Sequence, residues 1–120
     1  MSYNKRTVGT NNEDKAINFM QELGYQLLDR NYRCPFGEID AIFTKDKVLV
    51  VCEIKYRSNK MHGDPLEAVD YRKQKRISRS TLFYYAKKGL SMEQSCRFDV
   101  IGIYGDGSIK HVQNAFMFVR

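Results

Sequence analysis

The feature that most constrains this chain is a run of five apolar residues, Val48-Leu49-Val50-Val51-Cys52, that passes directly into Glu53-Ile54-Lys55. The stretch 48–56 is rich in β-branched and aromatic residues and reads as a strand. An apolar run without alternation belongs to a strand covered on both faces. An acid and a base at the end of such a strand need a reason. Residues 38–43 form a second strand of similar composition, and residues 44–47 join the two at hairpin length.

A two-residue loop at Asp46-Lys47 fixes the expected register. One face pairs Ile39 with Ile54, Ala41 with Cys52 and Phe43 with Val50, and is apolar throughout. The other pairs Ile42 with Val51, Asp40 with Glu53 and Glu38 with Lys55, apolar at the turn and charged at the open end. A slip of one residue would mix the faces, so the pattern resists it. A slip of two preserves the faces, and the pattern alone does not choose between those registers. In the first register the Cβ atoms of Asp40 and Glu53 stand about 4.5–5.5 Å apart. Carboxylates that close repel unless a proton or a cation lies between them. Hard oxygen ligands from few side chains, completed by water, suit Mg²⁺, with Mn²⁺ as its substitute. Lys55 follows Glu53 on the same face, where an ammonium can stabilise charge developing on a phosphoryl group. The competing reading is a wet sheet edge with a Glu38–Lys55 ion pair.

The remaining elements frame this hairpin. Residues 1–10 read as a flexible lead-in. Asn11 or Asn12 can cap a first helix, with Glu13 and Asp14 in its first turn. Ala16, Ile17, Met20 and Leu23 make one apolar helical face, and Gly24 ends it. Residues 25–33 read as a strand, with a turn at Pro35 and Gly37. Asp64-Pro65-Leu66-Glu67 announces a second helix with Asp64 as its cap, interrupted near Asp70 and running to Lys88 and Gly89. Residues 96–104 and 108–112 are two further strands around the turn Gly105-Asp106-Gly107. The order is α-β-β-β-α-β-β, an α/β fold in a single domain spanning 1–120.

The net charge of +6 is localised. Residues 57–88 hold nine Lys and Arg against three acids, and the segments on either side are balanced. A basic stripe on an otherwise neutral domain points to a polyanion, nucleic acid before membrane. Arg72, Lys75, Arg76 and Arg79 share one helical face, while Ile77, Thr81 and Tyr84 lie on another. No stretch approaches the roughly 20 apolar residues of a membrane span, and residues 1–14 lack an apolar signal core. Three scattered cysteines argue against a zinc ribbon or disulfide scaffold and favour free thiols in a reducing cytoplasm. His62 and His111 read as isolated surface or loop residues. No Walker A loop, dinucleotide fingerprint or Ser/His/Asp arrangement is present.

Several motifs carry a resemblance over nearly the whole chain. They are Gly9 and Glu13, Arg30-Asn31, Gly37-Glu38-Ile39-Asp40, and Val51 with Glu53-Ile54-Lys55 and Arg57. They continue through Gly63, Lys73-Gln74 and Arg76 to Arg97-Phe98-Asp99-Val100 and Asn114-Ala115-Phe116. The chain resembles the PD-(D/E)XK nuclease superfamily, which includes type II restriction endonucleases and archaeal Holliday junction resolvases. Within it, the chain is most similar to the YraN-like family of uncharacterised bacterial proteins. The resemblance implies a restriction-endonuclease-like core, a mixed sheet flanked by helices. It implies a metal on Asp40 and Glu53, a catalytic Lys55, a third carboxylate from Glu13, and a homodimer. One departure is Asn12, where many family members carry a second glycine before the helix glutamate.

The leading expectation is a Mg²⁺- or Mn²⁺-dependent DNA endonuclease, selective for structure on branched DNA. Arg57, Arg72, Lys73, Lys75, Arg76 and Arg79 are the expected phosphate contacts. Backbone contacts carry shape rather than sequence, which suits a small domain. The alternatives are a non-cleaving nucleic-acid-binding module of the same fold, and a structural interaction protein with no salt-dependent DNA binding.

Overall fold

The computed structural model describes residues 5–58 and 69–120, with side chains from Asn11 onward. Its elements are α1 (Lys5–Glu22), β1 (Gln26–Cys34), β2 (Gly37–Lys45), β3 (Val48–Arg57), α2 (Tyr71–Lys88), β4 (Cys96–Tyr104) and β5 (Ile109–Phe116). The expected order α-β-β-β-α-β-β is observed. The strands form one five-stranded sheet in the order β1-β2-β3-β4-β5. β3 and β4 are parallel, and the other neighbours are antiparallel. Returning from β3 to a parallel neighbour requires a crossover, and α2 lies on that connection.

The central hairpin has the expected register, with Ala41 opposite Cys52, Ile42 opposite Val51 and Phe43 opposite Val50. Asp46 and Lys47 both take positive φ, 51° and 66°, the backbone of a two-residue turn whose twist matches its strands. Val50, Val51 and Cys52 are at most 2% exposed. Their side chains alternate between two cores. Ala41, Phe43, Val50, Cys52, Ile101 and Ile103 pack against Ala16, Ile17 and Met20 of α1. Ile42, Leu49, Val51, Phe98 and Val100 pack against Ile77, Tyr84 and Tyr85 of α2. The sheet is thus the middle layer between two helices. No helix among the described residues is long and apolar enough to cross a membrane.

Several sequence expectations are corrected. α1 reaches back to Lys5, into the stretch expected as a lead-in, so Asn11 and Asn12 lie inside the helix and cap nothing. Asn12 is instead packed, at 7% exposure. Leu23 is not on the buried face but 45% exposed, because the helix has already ended. Ile39 joins the core under α2 rather than the face of Ala41 and Phe43. The Asp64 cap lies outside the described residues. α2 is capped by Asp70, whose side chain accepts from Lys73 N at 2.9 Å. Gly89 closes the helix in the left-handed region, its N–H shared between the carbonyls of Ala86 and Tyr85. β5 runs on to Phe116, beyond the expected end at Val112. Cys34, Cys52 and Cys96 are all free.

Candidate active site

The site forms where the central hairpin opens. The β2–β3 ladder runs from the turn to Ala41–Cys52 and goes no further. At the next position Asp40 turns its carboxylate into the gap, and its Oδ2 accepts from Ile54 N at 2.7 Å. A side chain thus replaces the backbone partner that β2 would have supplied. β3 continues beyond this point because β4 supports its other edge in parallel from Leu49–Cys96 to Arg57–Tyr104. Asn31, in the left-handed region at φ 53°, lies on β1 between the pairs Arg30–Ala41 and Tyr32–Ile39 and so flanks Asp40.

Asp40, Glu53 and Lys55 are brought together as expected. Burial, and then the charge of Glu53, raise the Asp40 carboxyl to about 7, against the opposing effects of the Ile54 hydrogen bond and Lys55. Lys55 Nζ lies 3.3 Å from Glu53 Oε1, and the two side chains are 21% and 14% exposed. The Glu38–Lys55 ion pair of the competing reading is not observed, since Lys55 pairs with Glu53. Glu38 stands opposite Arg33 in the β1–β2 ladder and pairs with it at 3.2 Å. Glu13 is near enough for its charge to act on Asp40. Its carboxylate is shared with Arg30, which reaches Glu13 at 3.6 Å and Asp14 at 2.5 Å.

The expected phosphate contacts divide. Arg72, Arg76 and Arg79 are exposed on one face of α2, with Lys75 half-buried beside them. Lys73 does not belong to that face. It lies against Lys55, and the closeness of that second amine, then burial, lower its pKa. Its place in the site is set by the Asp70 cap, where the sequence suggested only an interruption of a helix begun at Asp64. Arg57 sits at the far end of β3, with Nε buried without a partner among the described residues and its carbonyl accepting from Gly105 N.

A second buried carboxylate organises the other half of the sheet. Asp99 accepts from Arg97 Nε and Nη2, both at 2.9 Å, and from Asn114 N at 2.9 Å. His111 Nε2 lies 2.7 Å from Asp99 Oδ2 and must donate, since an ionised carboxylate only accepts. Arg97 also donates to the Tyr25 hydroxyl. Burial alone would raise the Asp99 carboxyl, but the hydrogen bonds from His111, Arg97 and Asn114 outweigh it and the net shift is downward. His111, expected from sequence as a surface or loop residue, has a side chain only 8% exposed that packs edge-on to Phe19 and Tyr25. Asn114 takes positive φ to deliver its N–H, where the β4–β5 register shifts between Phe98 and Val100. His62 lies outside the described residues.

Among the described residues, no group of three or more His, Cys, Asp and Glu side chains is placed to hold a metal ion by itself. The fit to a divalent cation therefore rests on the Asp40–Glu53 pair. Two oxygen ligands with mutual repulsion and a hydrated remainder suit Mg²⁺ rather than zinc.

A five-stranded mixed sheet between two helices, with two neighbouring carboxylates and a lysine where its central hairpin opens, defines the class of α/β domain to which the chain conforms. Its family follows from comparison with known proteins: residues 12–103 match the model of "Uncharacterised protein family UPF0102", and the chain belongs to this family. A UPF0102 protein from Lachnoclostridium phytofermentans is 41% identical over 113 residues, covering 94% of this chain and 95% of its own. Another, from Desulforamulus reducens, is 40% identical over 121 residues, covering 96% and 99%.

Proposed function

We propose that this protein is a metal-dependent DNA endonuclease that hydrolyses phosphodiester bonds in branched or duplex DNA. The observation that carries this reading is the Asp40 carboxyl, raised to about 7 by burial and by Glu53, with Lys55 paired to Glu53 beside it. A structural carboxylate would be relieved by donors that outweigh its burial, as the Ile54 amide and Lys55 do not here. This one is held beside a second acid at the end of a buried strand, an arrangement that a divalent cation stabilises.

Asp40 and Glu53 would hold Mg²⁺ or Mn²⁺. When bound, such an ion polarises a phosphoryl oxygen and lowers the pKa of water. Lys55 supplies an ammonium beside the carboxylate pair, where charge grows on the phosphoryl oxygens during hydrolysis. Lys73 adds a second cation against it. Arg72, Lys75, Arg76 and Arg79 hold phosphates on either side of the cut, fixing position without reading bases. Glu13 approaches the pair from α1, with Arg30 setting its orientation.

The test is cleavage of a four-way junction and a matched linear duplex in Mg²⁺ or Mn²⁺. Wild-type protein should cut the junction, and Glu53→Gln should lower the rate by about 100-fold or more while DNA binding persists. Salt-dependent binding with no cleavage by either protein would assign a non-cleaving binding module instead. No binding at all would refute both.

A further inference from the structure

The hairpin between β1 and β2 ends in a two-residue tip, Pro35-Phe36, since Cys34 pairs with Gly37. Phe36 is 45% exposed there. The tip does not wave freely. Gly37 has φ 145°, and a Cβ at that position would meet Cγ and Cδ of Arg76 at 3.2 Å, so the stem of Arg76 lies across the glycine. The Phe83 ring supports Phe36 edge-on at 6.3 Å. Proline's fixed φ stiffens the tip further. An exposed aromatic ring is thus presented at low conformational cost.

Grooves flank the tip on two sides. One, of about 410 Å³, runs between Pro35 and Phe36 and the α2 face of Arg72, Lys75, Arg76 and Arg79. The other, of about 450 Å³, has Arg33, Lys87 and Lys88 along it, with Tyr32, Pro35 and Phe83 as its apolar walls. Among the described residues, no acidic side chain lines either groove. Two acids at their margins are engaged: Glu38 with Arg33, and Asp29 with Lys88 at 3.7 Å. Lys87 sits over the Phe83 ring at 5.9 Å.

An aromatic platform within a basic track is the chemistry of unpaired nucleic acid, where bases stack on rings and cations follow the backbone. Two such tracks that meet at Pro35, beside one exposed ring, suit two strands that diverge. We infer that the Pro35-Phe36 tip is a wedge at a strand branch: Phe36 stacks on an unpaired base, and each flanking groove takes one phosphate backbone. The inference rests on the nucleic-acid reading of the active site and names its substrate feature. Asp40 lies three residues from Gly37 on β2, about 10 Å away along the strand. That is about three stacked base steps of 3.4 Å, so the wedge sets the cut close to the branch.

The test is fluorescence anisotropy in metal-free buffer, so that no cleavage intervenes. The probes are a labelled fork with unpaired arms and a fully paired duplex of equal length. Wild-type protein should prefer the fork, and Phe36→Ala should weaken fork binding by about tenfold while leaving the duplex within about twofold. Phe36→Trp should restore the preference, which a merely structural role for the ring would not do. Equal losses on both probes, or none on the fork, would overturn the wedge with the endonuclease reading intact. Binding to neither probe by wild-type protein would overturn the nucleic-acid reading itself, and the wedge with it.

Discussion

Asp40 and Asp99 are two carboxylates inside one sheet, placed to opposite effect. Asp99 sits on β4 among Arg97, His111 and the Asn114 amide, and its carboxyl is held below the usual range. Asp40 sits on β2 with the Ile54 amide and a neighbouring acid, and its carboxyl is raised to about 7. Asp99 is fully buried and Asp40 half-buried. The difference is whether donors balance the charge. Asp99 is complete as it stands and ties β4, β5 and the segment after α1 together. Asp40 is incomplete without a proton or a cation, and Lys55 and Lys73 stand beside the carboxylate with which it competes. Burial of an acid alone therefore says little about function, whereas the balance of its partners says a great deal.

Substitutions separate the two carboxylates. The largest effect is expected at the lysine beside the proposed metal-binding pair. Lys55→Ala should lower cleavage of a junction by about 100- to 1,000-fold, because its proposed contact with the phosphoryl group would strengthen in the transition state. DNA affinity, read by anisotropy, should stay within about threefold of wild type. Cleavage at the wild-type rate would leave Lys55 as an ion-pair partner of Glu53 only.

Asp99→Asn comes next. It strips Arg97 and His111 of their shared counter-charge and should cost about 3 kcal/mol in urea unfolding at pH 7. The wild-type dependence on pH has a definite sign. Asp99 has a lowered folded pKa, so its stabilisation is present above the unfolded value of about 4 and fades as pH falls through the folded value. The variant should lose that acid-side slope.

Asp40→Asn should act in the opposite direction. In metal-free buffer at pH 8 it should raise stability by about 1–2 kcal/mol, because the carboxylate's burial and repulsion are gone while the Ile54 hydrogen bond can remain. The folded pKa is raised, so the unfolded chain loses its proton first. Wild-type stability should fall as pH climbs from about 4 to about 7, and the variant's advantage should disappear below about pH 4. A variant that is less stable across this range would place Asp40 with Asp99 among the structural acids.

The smallest effect concerns the exposed face of α2. Arg72→Ala with Arg76→Ala should flatten the plot of log affinity against log salt by about 0.9 for each phosphate no longer neutralised. Stability should change by about 0.5 kcal/mol or less per site. An unchanged slope in a folded variant would mean these arginines serve only as a solvated face.

The chain states its sheet more openly than its site. Alternation from Ala41 to Phe43, and its match to Val50 to Cys52, favours the observed register, and Asp46-Lys47 supplies the turn. The same alternation implies more ladder at the open end of the hairpin. In fact the ladder stops at Ala41, since β4 supports β3 from the other side and Asp40 takes the Ile54 amide. Two strands viewed alone match Glu38 to Lys55, but β1 presents Arg33 directly opposite. Lys73 carries no distinguishing mark among the basic residues until Asp70 fixes the start of α2. His111 and Asp99 lie 12 residues apart on neighbouring strands, joined through a bulge that no local pattern announces. What stays hidden depends on contacts between separate elements, whereas periodicity records only what each element does alone.

The central claim is that Asp40 and Glu53 form a divalent-cation site. A crystal of the wild-type protein soaked in Mn²⁺ tests it most directly, by anomalous difference density. One strong peak is expected between the two carboxylates, absent from Asp40→Asn crystals treated identically. No peak at that position, with both carboxylates ordered, would contradict the claim.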